Sequence, residues 1–225
     1  MRISVLFILS LFYISTYGQV GPIRNWIDTE VNYSLANQKD LIFTHSLPKG
    51  GGQYYLKGIK YSHVIFWTRI QNQTSTPIKL QLTFPDITYL QSPNAHIKIL
   101  LAKDTMSHEK EQLFNYGLTG LESLLNGNSK QLKVLKQTID PSKDYYFYIP
   151  VFMHEINGIA RASIVLKGEK LFYKISIGKD TAFIPCGSLV VENKKTLRCQ
   201  DPIKPNTEVF TKLISTTQAA KTSLF

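Results

Sequence analysis

Between Pro77 and Pro85 the chain reads Ile78-Lys79-Leu80-Gln81-Leu82-Thr83-Phe84, with apolar and polar residues alternating without a fault. Successive strand residues point to opposite faces, so this run is a strand with one buried and one wet face. The run before it, His63 to Gln71, is rich in β-branched and aromatic residues: Val64, Ile65, Phe66, Trp67, Thr68 and Ile70. Asn72-Gln73-Thr74-Ser75-Thr76-Pro77 between them is a polar turn segment, so the two runs are expected to pair antiparallel.

The pattern repeats along the chain. Asp40 to Leu47 and Gln53 to Tyr61 read as strands joined through Pro48-Lys49-Gly50-Gly51-Gly52, a flexible hairpin turn. That glycine run lacks the Lys-Ser/Thr and the helix that would make it a phosphate loop. Ile97, Ile99 and Leu101 mark another strand, and Leu132, Val134 and Ile139 a further one, ending at Asp140-Pro141-Ser142. Tyr145 to Phe152 is almost wholly apolar and aromatic, as in a strand covered on both faces. Asn157-Gly158 is a turn signal leading into Ile159 to Leu166. Lys167 to Lys170 turns the chain into Leu171, Tyr173, Ile175 and Ile177, with Lys174 and Ser176 on the other face. Ser188 to Glu192 reads as the last strand.

One segment breaks the period of two. From Asp104 to Asn126 the apolar residues Met106, Leu113, Phe114, Leu118, Leu121, Leu124 and Leu125 fall at helical spacing. Asp104 is the expected N-cap, and Gly117 and Gly120 split the helix. Thr119 and Glu122 have capping-box spacing for a second short helix, which Gly127 ends. The expected fold is an all-β antiparallel sandwich with this short helical insertion.

The ends point to export. Met1-Arg2, the apolar run Ile3 to Tyr13 and the small or polar Ser15-Thr16-Tyr17-Gly18 describe a signal peptide over residues 1–18, cleaved after Gly18. The apolar run is shorter than the roughly 20 residues of a spanning helix, and no later stretch is long and apolar enough to be one. A secreted or periplasmic chain is expected, with one sandwich over 19–195 and a flexible tail over 196–225. Cys186 and Cys199 are the two cysteines. In an oxidising compartment they are expected to form a disulfide, the alternative being two buried thiols. The formal net charge of +10 suits anionic partners, but the lysines are scattered and a solvated basic face is the default, with the densest clusters at Lys194, Lys195, Arg198 and at Lys130, Lys133, Lys136.

The early run Phe66 to Asn72 followed by Ser75-Thr76-Pro77-Ile78 looks like the first hairpin of many bacterial Ig-like export domains. Thr138 to Lys143 resembles the turn such domains place before a core strand, and Gly158 to Ile175 their closing hairpin. Over roughly residues 60 to 192 the chain resembles exported Ig-like β-sandwich proteins of the Bacteroidetes type. The resemblance implies an Ig-like sandwich and transfers no catalytic residue. The Cys-Trp-Cys arrangement of antibody domains is absent, since both cysteines follow Trp67 at a distance, and the helical insertion is a departure.

Little in the sequence speaks for catalysis. His154-Glu155 opens like the two-histidine zinc-protease motif, but Gly158 stands where its second histidine belongs. G-x-S-x-G does not occur, and Cys186-Gly187-Ser188 reads as a turn after Pro185. No carboxylate pair is marked. No catalytic residue, metal ligand or cofactor is expected. The aromatic set Tyr54, Tyr55, Tyr61, Trp67, Tyr145, Tyr146 and Tyr148 is either central core or, where exposed beside lysines, a platform for acidic glycans. Asn32-Tyr33-Ser34 and Asn72-Gln73-Thr74 match the glycosylation triplet. The reading is a non-enzymatic exported binding or structural module, its partner an envelope or extracellular protein or an acidic glycan and not nucleic acid. A carbohydrate-binding module for acidic polysaccharide and a hydrolase using His154 and Glu155 are the alternatives.

Overall fold

The computed structural model describes residues 25–34, 40–90, 94–127 and 131–191. The strands begin with β1 (Ile27–Tyr33), β2 (Leu41–Ser46), β3 (Lys49–Leu56), β4 (Ile59–Asn72), β5 (Ile78–Leu82), β6 (Thr88–Tyr89) and β7 (His96–Ile99). They continue as β8 (Leu101–Ala102), β9 (Gln131–Leu132), β10 (Leu135–Ile139), β11 (Asp144–His154), β12 (Ala160–Lys167), β13 (Lys170–Ile177) and β14 (Asp180–Val191). One sheet has the order β1-β2-β4-β11-β7-β6, with β3 also paired to β4. The other has the order β10-β5-β14-β13-β12, and β8 and β9 form a two-stranded ladder. The described residues make an antiparallel β-sandwich.

The two sheets enclose a core in which Phe66, Ile70, Phe147, Ile149 and Val151 meet Leu80, Leu82, Ile164, Tyr173, Ile175 and Leu189. These are the inward residues of the alternation read from the sequence. The central pair β4–β11, in register from Asp144↔Gln71 to Met153↔Ser62, buries its other face too. Tyr61, Ile65, Trp67, Tyr148 and Phe152 form a second core with Met106, Tyr116, Leu118, Leu121, Leu124 and Leu125 of the insertion. That explains why Tyr145 to Phe152 lacks a polar face.

One rim of the sandwich is sealed by side chains. The backbone N–H of Ile164 in β12 donates to His45 Nε2 at 3.3 Å, and that of Leu166 to Tyr33 Oη at 3.0 Å. His45 Nδ1 faces Thr68 Oγ1 at 3.1 Å. Accepting from Ile164 requires the neutral imidazole, and burial pushes the His45 pKa down to about 3.

Several expectations need correction. The runs before and after Asn72-Pro77 do not pair: β4 lies in one sheet and β5 in the other. The segment between them is a buried crossing organised by the Asn72 amide. Its Nδ2 donates to Thr76 O at 2.8 Å and Ile139 O at 2.9 Å, and its Oδ1 accepts from Thr74 N and Thr74 Oγ1. The side chain is 0 % exposed and its hydrogen-bonding capacity is used up, so the folded Asn72 cannot carry a glycan. The expected strand Gln53 to Tyr61 is a hairpin turning at Lys57-Gly58, both at positive φ.

Gly50-Gly51-Gly52 is no hairpin turn but the bulged start of β3, where register shifts between Gly50 and Gln53. A Cβ on Gly50 would run into the His63 carbonyl, so the backbones approach as closely as they do only with glycine. Pro185-Cys186-Gly187 likewise lies inside β14, at a bulge against β13, and not in a turn. The chain runs from β11 through Asn157-Gly158 into the opposite sheet rather than back along β11.

The insertion is less helical than its spacing predicts. It contains a 3-10 turn at His108–Lys110, a second at Phe114–Gly117, and one short helix, α1 (Leu121–Leu125). Asp104 caps no long helix, and Thr119 does not cap α1, whose N-cap is Gly120 in the left-handed conformation. Asn115, Tyr116 and Gly117 also have positive φ, which turns the chain and leaves Leu113 and Phe114 exposed. Apolar spacing here reflects contact with the sheet rather than helix continuity. Gly127 follows α1 at positive φ, as expected. The signal peptide (1–18), the tail (196–225), Cys199, and the lysine-rich positions 130, 194, 195 and 198 lie outside the described residues.

Candidate functional sites on the two outer faces

The outward positions of the second sheet follow from its registers. They place Lys79 on β5, Lys136 on β10, Arg161 and Lys167 on β12, and Lys170 and Lys174 on β13, all exposed, with no carboxylate among them. Asp28 of β1 lies 3.5 Å from Arg161 Nε, and Glu169 sits in the adjoining turn. Phe183 of β14 is 52 % exposed and lies opposite Lys174, at the end of this face away from Lys79 and Lys136. Lys167 Nζ lies 5.4 Å and Lys174 Nζ 5.9 Å from its ring centroid, and Lys167 also stands over Phe172 at 5.6 Å. The rings hold the ammonium groups above the sheet at about 0.5–1 kcal/mol per exposed contact. Beside them runs a shallow trough of about 420 Å³, walled by Lys79, Gln81, Lys136, Thr138 and Ser188.

The first sheet's outer face is built otherwise. Residues 103–127 cover most of it and are pinned by side chains: Lys49 Nζ donates to Glu111 O at 2.6 Å and Leu113 O at 2.9 Å, over the Trp26 ring at 3.7 Å. Tyr116 Oη donates to Leu47 O at 2.5 Å and Tyr148 Oη to Tyr116 O at 2.7 Å. Burial pushes the phenols of Tyr116 and Tyr148 up to about 12, so both remain donors. Where the cover stops, a niche of about 490 Å³ opens between the sheet and the turn 108–112. Glu30, Trp67, Arg69, Glu111, Gln112 and Tyr146 are among its walls.

The sequence-derived candidates fall in different places. Trp67, Tyr61 and Tyr148 are buried under the insertion, so the core alternative holds for them, while Tyr146 is half-buried at the niche. His154 ends β11 with Nδ1 donating to Lys60 O at 2.8 Å and Nε2 3.7 Å from Glu155 Oε1. Its ring lies 4.9 Å from that of His96, opposite it on β7. His96 Nδ1 donates to Asn94 O, leaving Nε2 to accept from Tyr61 Oη at 2.8 Å. These bonds tie both rings to the sheet end. Among the described residues no group of three or more His, Cys, Asp or Glu can hold a metal. Cys186 is buried in the core beside Tyr173, and burial pushes its thiol up to about 12, which suits a packed thiol and not a nucleophile.

The basic face was half legible, since Lys79, Lys174 and Lys136 stand at polar positions of the alternation. That six cations share one face needed the strand order. The niche was missed: its walls come from β1, β4, β11 and the turn 108–112, far apart in sequence. No family model, curated protein or solved structure matches this chain. No helix among the described residues is long and apolar enough to cross a membrane.

Proposed function

We propose that the chain is a non-enzymatic, exported binding module whose open basic face holds an acidic polysaccharide. The observation that supports this is the six-cation outer face of the second sheet, without a carboxylate at its outward positions and with exposed Phe183 beside Lys167 and Lys174. A strand-built face fixes the spacing of charges, which suits a polymer of repeating carboxylates or sulfates better than one compact anion. Exposed pairs contribute little singly, so affinity grows with the number of sugar residues engaged and falls with salt.

A second reading, an envelope or extracellular protein as partner, draws on Phe114, 80 % exposed at the tip of the insertion beside exposed Leu113. Strand addition at β12 is disfavoured, because Ile164 and Leu166 already donate to His45 and Tyr33.

Retention on immobilised polygalacturonate, against a neutral polysaccharide, is the test. Binding is expected at low ionic strength, where the Debye length is about 30 Å at 0.01 M, and is lost near 1 M, where it is about 3 Å. The double reversal Lys167→Glu with Lys174→Glu removes it. Equal retention of that variant, or no retention of the parent chain on any acidic polysaccharide at low salt, overturns the reading.

A further inference from the structure

The trough on the second sheet's outer face has a direction. Its walls are two successive outward rows of three neighbouring strands. Ser188, Gln81 and Lys136 stand side by side across β14, β5 and β10, and Val190, Lys79 and Thr138 do so one step further along. A furrow between two such rows runs across the strands and not along them. Lys79, Gln81, Lys136 and Thr138 are exposed, and none of the wall residues is a carboxylate. Lys79 and Lys136 are diagonal neighbours on opposite walls, about 7–8 Å apart at the backbone. Their ammonium groups share the trough with the Gln81 amide and the hydroxyls of Thr138 and Ser188, all of which donate hydrogen bonds.

The first of these rows continues beyond the trough. Ser188 pairs with Lys170 on β13, and Lys170 with Lys167 on β12. From edge to edge the row reads Lys167, Lys170, Ser188, Gln81, Lys136, with cations at both ends and uncharged hydrogen-bonding side chains between. Lys167 and Lys170 face each other directly, a pairing that destabilises two strands and favours a counter-ion above them. Neighbouring strands lie about 4.8 Å apart, so three spacings, about 14 Å, separate Lys170 from Lys136.

The other direction suits an anion less well. Along the strands beyond Lys174 the face ends at Arg161, whose Nε already has a carboxylate oxygen of Asp28 at 3.5 Å.

We infer that the trough is a second anion subsite of the basic face, and that an acidic oligosaccharide lies across the strands. One of its anionic groups is held at Lys167 and Lys170, and another between Lys79 and Lys136. The inference rests on the acidic-polysaccharide reading and narrows it to extended chains long enough to bridge the two subsites. A pyranose residue is about as long as one strand spacing, so the bridge takes about four residues. The hydroxyls between meet Ser188 and Gln81. Once one end is bound the second contact is intramolecular, which raises affinity for a bridging chain well above that for a short one.

Galacturonate oligomers of increasing length, from the disaccharide to the hexasaccharide, titrated at low salt into isotope-labelled protein, test it. The hexasaccharide is expected to move amide signals at both ends of the row, around Lys170 and around Lys136. It is expected to bind at least about tenfold more tightly than the disaccharide. Lys136→Ser, at an exposed position, removes most of that gain. Lys103→Ser, the same loss of charge on the first sheet's side, keeps it. Shifts that run from Lys174 to Arg161 and spare Lys136, a hexasaccharide no tighter than the disaccharide, or a gain that survives Lys136→Ser each overturn the inference and leave the acidic-polysaccharide reading standing. No binding of any oligomer at low salt removes both.

Discussion

The two outer faces of this sandwich obey the same alternation and come to opposite ends. On β4 and β11 the outward positions hold Ile65, Trp67, Tyr148 and Phe152, and residues 103–127 fold over them as a second core. On β5, β12 and β13 the outward positions hold Lys79, Lys167 and Lys174, and nothing described covers them. A face that would expose several large apolar side chains, each worth about 1.5–3 kcal/mol on burial, acquires a cover; a lysine face stays wet without one. The cover is then free to leave a niche at its margin, and the bare face to present charge.

That contrast can be broken most forcefully from the covered side. Tyr148→Ala removes a ring from the second core and the bond to Tyr116 O. It is expected to cost about 4 kcal/mol in urea unfolding. Lys174→Ser on the bare face is the control; a comparable loss there would mean the faces do not differ in kind.

The seam joining the sheets titrates. The His45 pKa is lowered from 6.5 to about 3 in the folded state, so stability is complete above pH 6.5 and drains away as pH falls from there towards 3. The slope from this group approaches about 1.4 kcal/mol per pH unit, for a total of roughly 5 kcal/mol. His45→Gln should flatten that part of the stability–pH curve. An unchanged curve would show that the seam does not depend on the neutral imidazole.

Asn72→Ala removes the side-chain donor to Ile139 O and one of the two donors to Thr76 O at the crossing between sheets, an expected loss of about 2 kcal/mol in the same unfolding assay. Smallest is Lys174→Ser itself, within about 0.5 kcal/mol of the parent protein in stability, yet expected to weaken polygalacturonate retention measurably at low salt.

Strand faces were readable because they are local. Ile78 to Phe84 and Leu171 to Ile177 declare them by period alone, and the two-sided burial of Tyr145 to Phe152 followed from its lack of a polar face. Neighbours were not readable. Alternation says which way Leu80 points, not which strand lies beside it, and the buried bonds of Asn72 and Thr74 that carry the chain from β4 to the other sheet give no period. The insertion misled for a related reason: Leu118, Leu121, Leu124 and Leu125 are spaced by the need to reach one sheet, and a helix and a folded loop meet that need alike. Glycines at Gly117 and Gly120 marked the breaks, while the left-handed turn at Asn115 and Tyr116 carried no such sign. Of the niche, the sequence displayed the aromatic members Trp67 and Tyr146. The niche that Glu30 and Glu111 wall with them exists only after folding.

The most direct test of the opposed faces is to titrate polygalacturonate oligomers into isotope-labelled protein at low salt and map the amide signals that move. Shifts confined to the outer face of β5, β10, β12, β13 and β14, strongest around Lys167, Lys174 and Phe183, with α1 and the first sheet's outer face silent, are the predicted result. Shifts centred on the insertion, or none on the basic face, would contradict it.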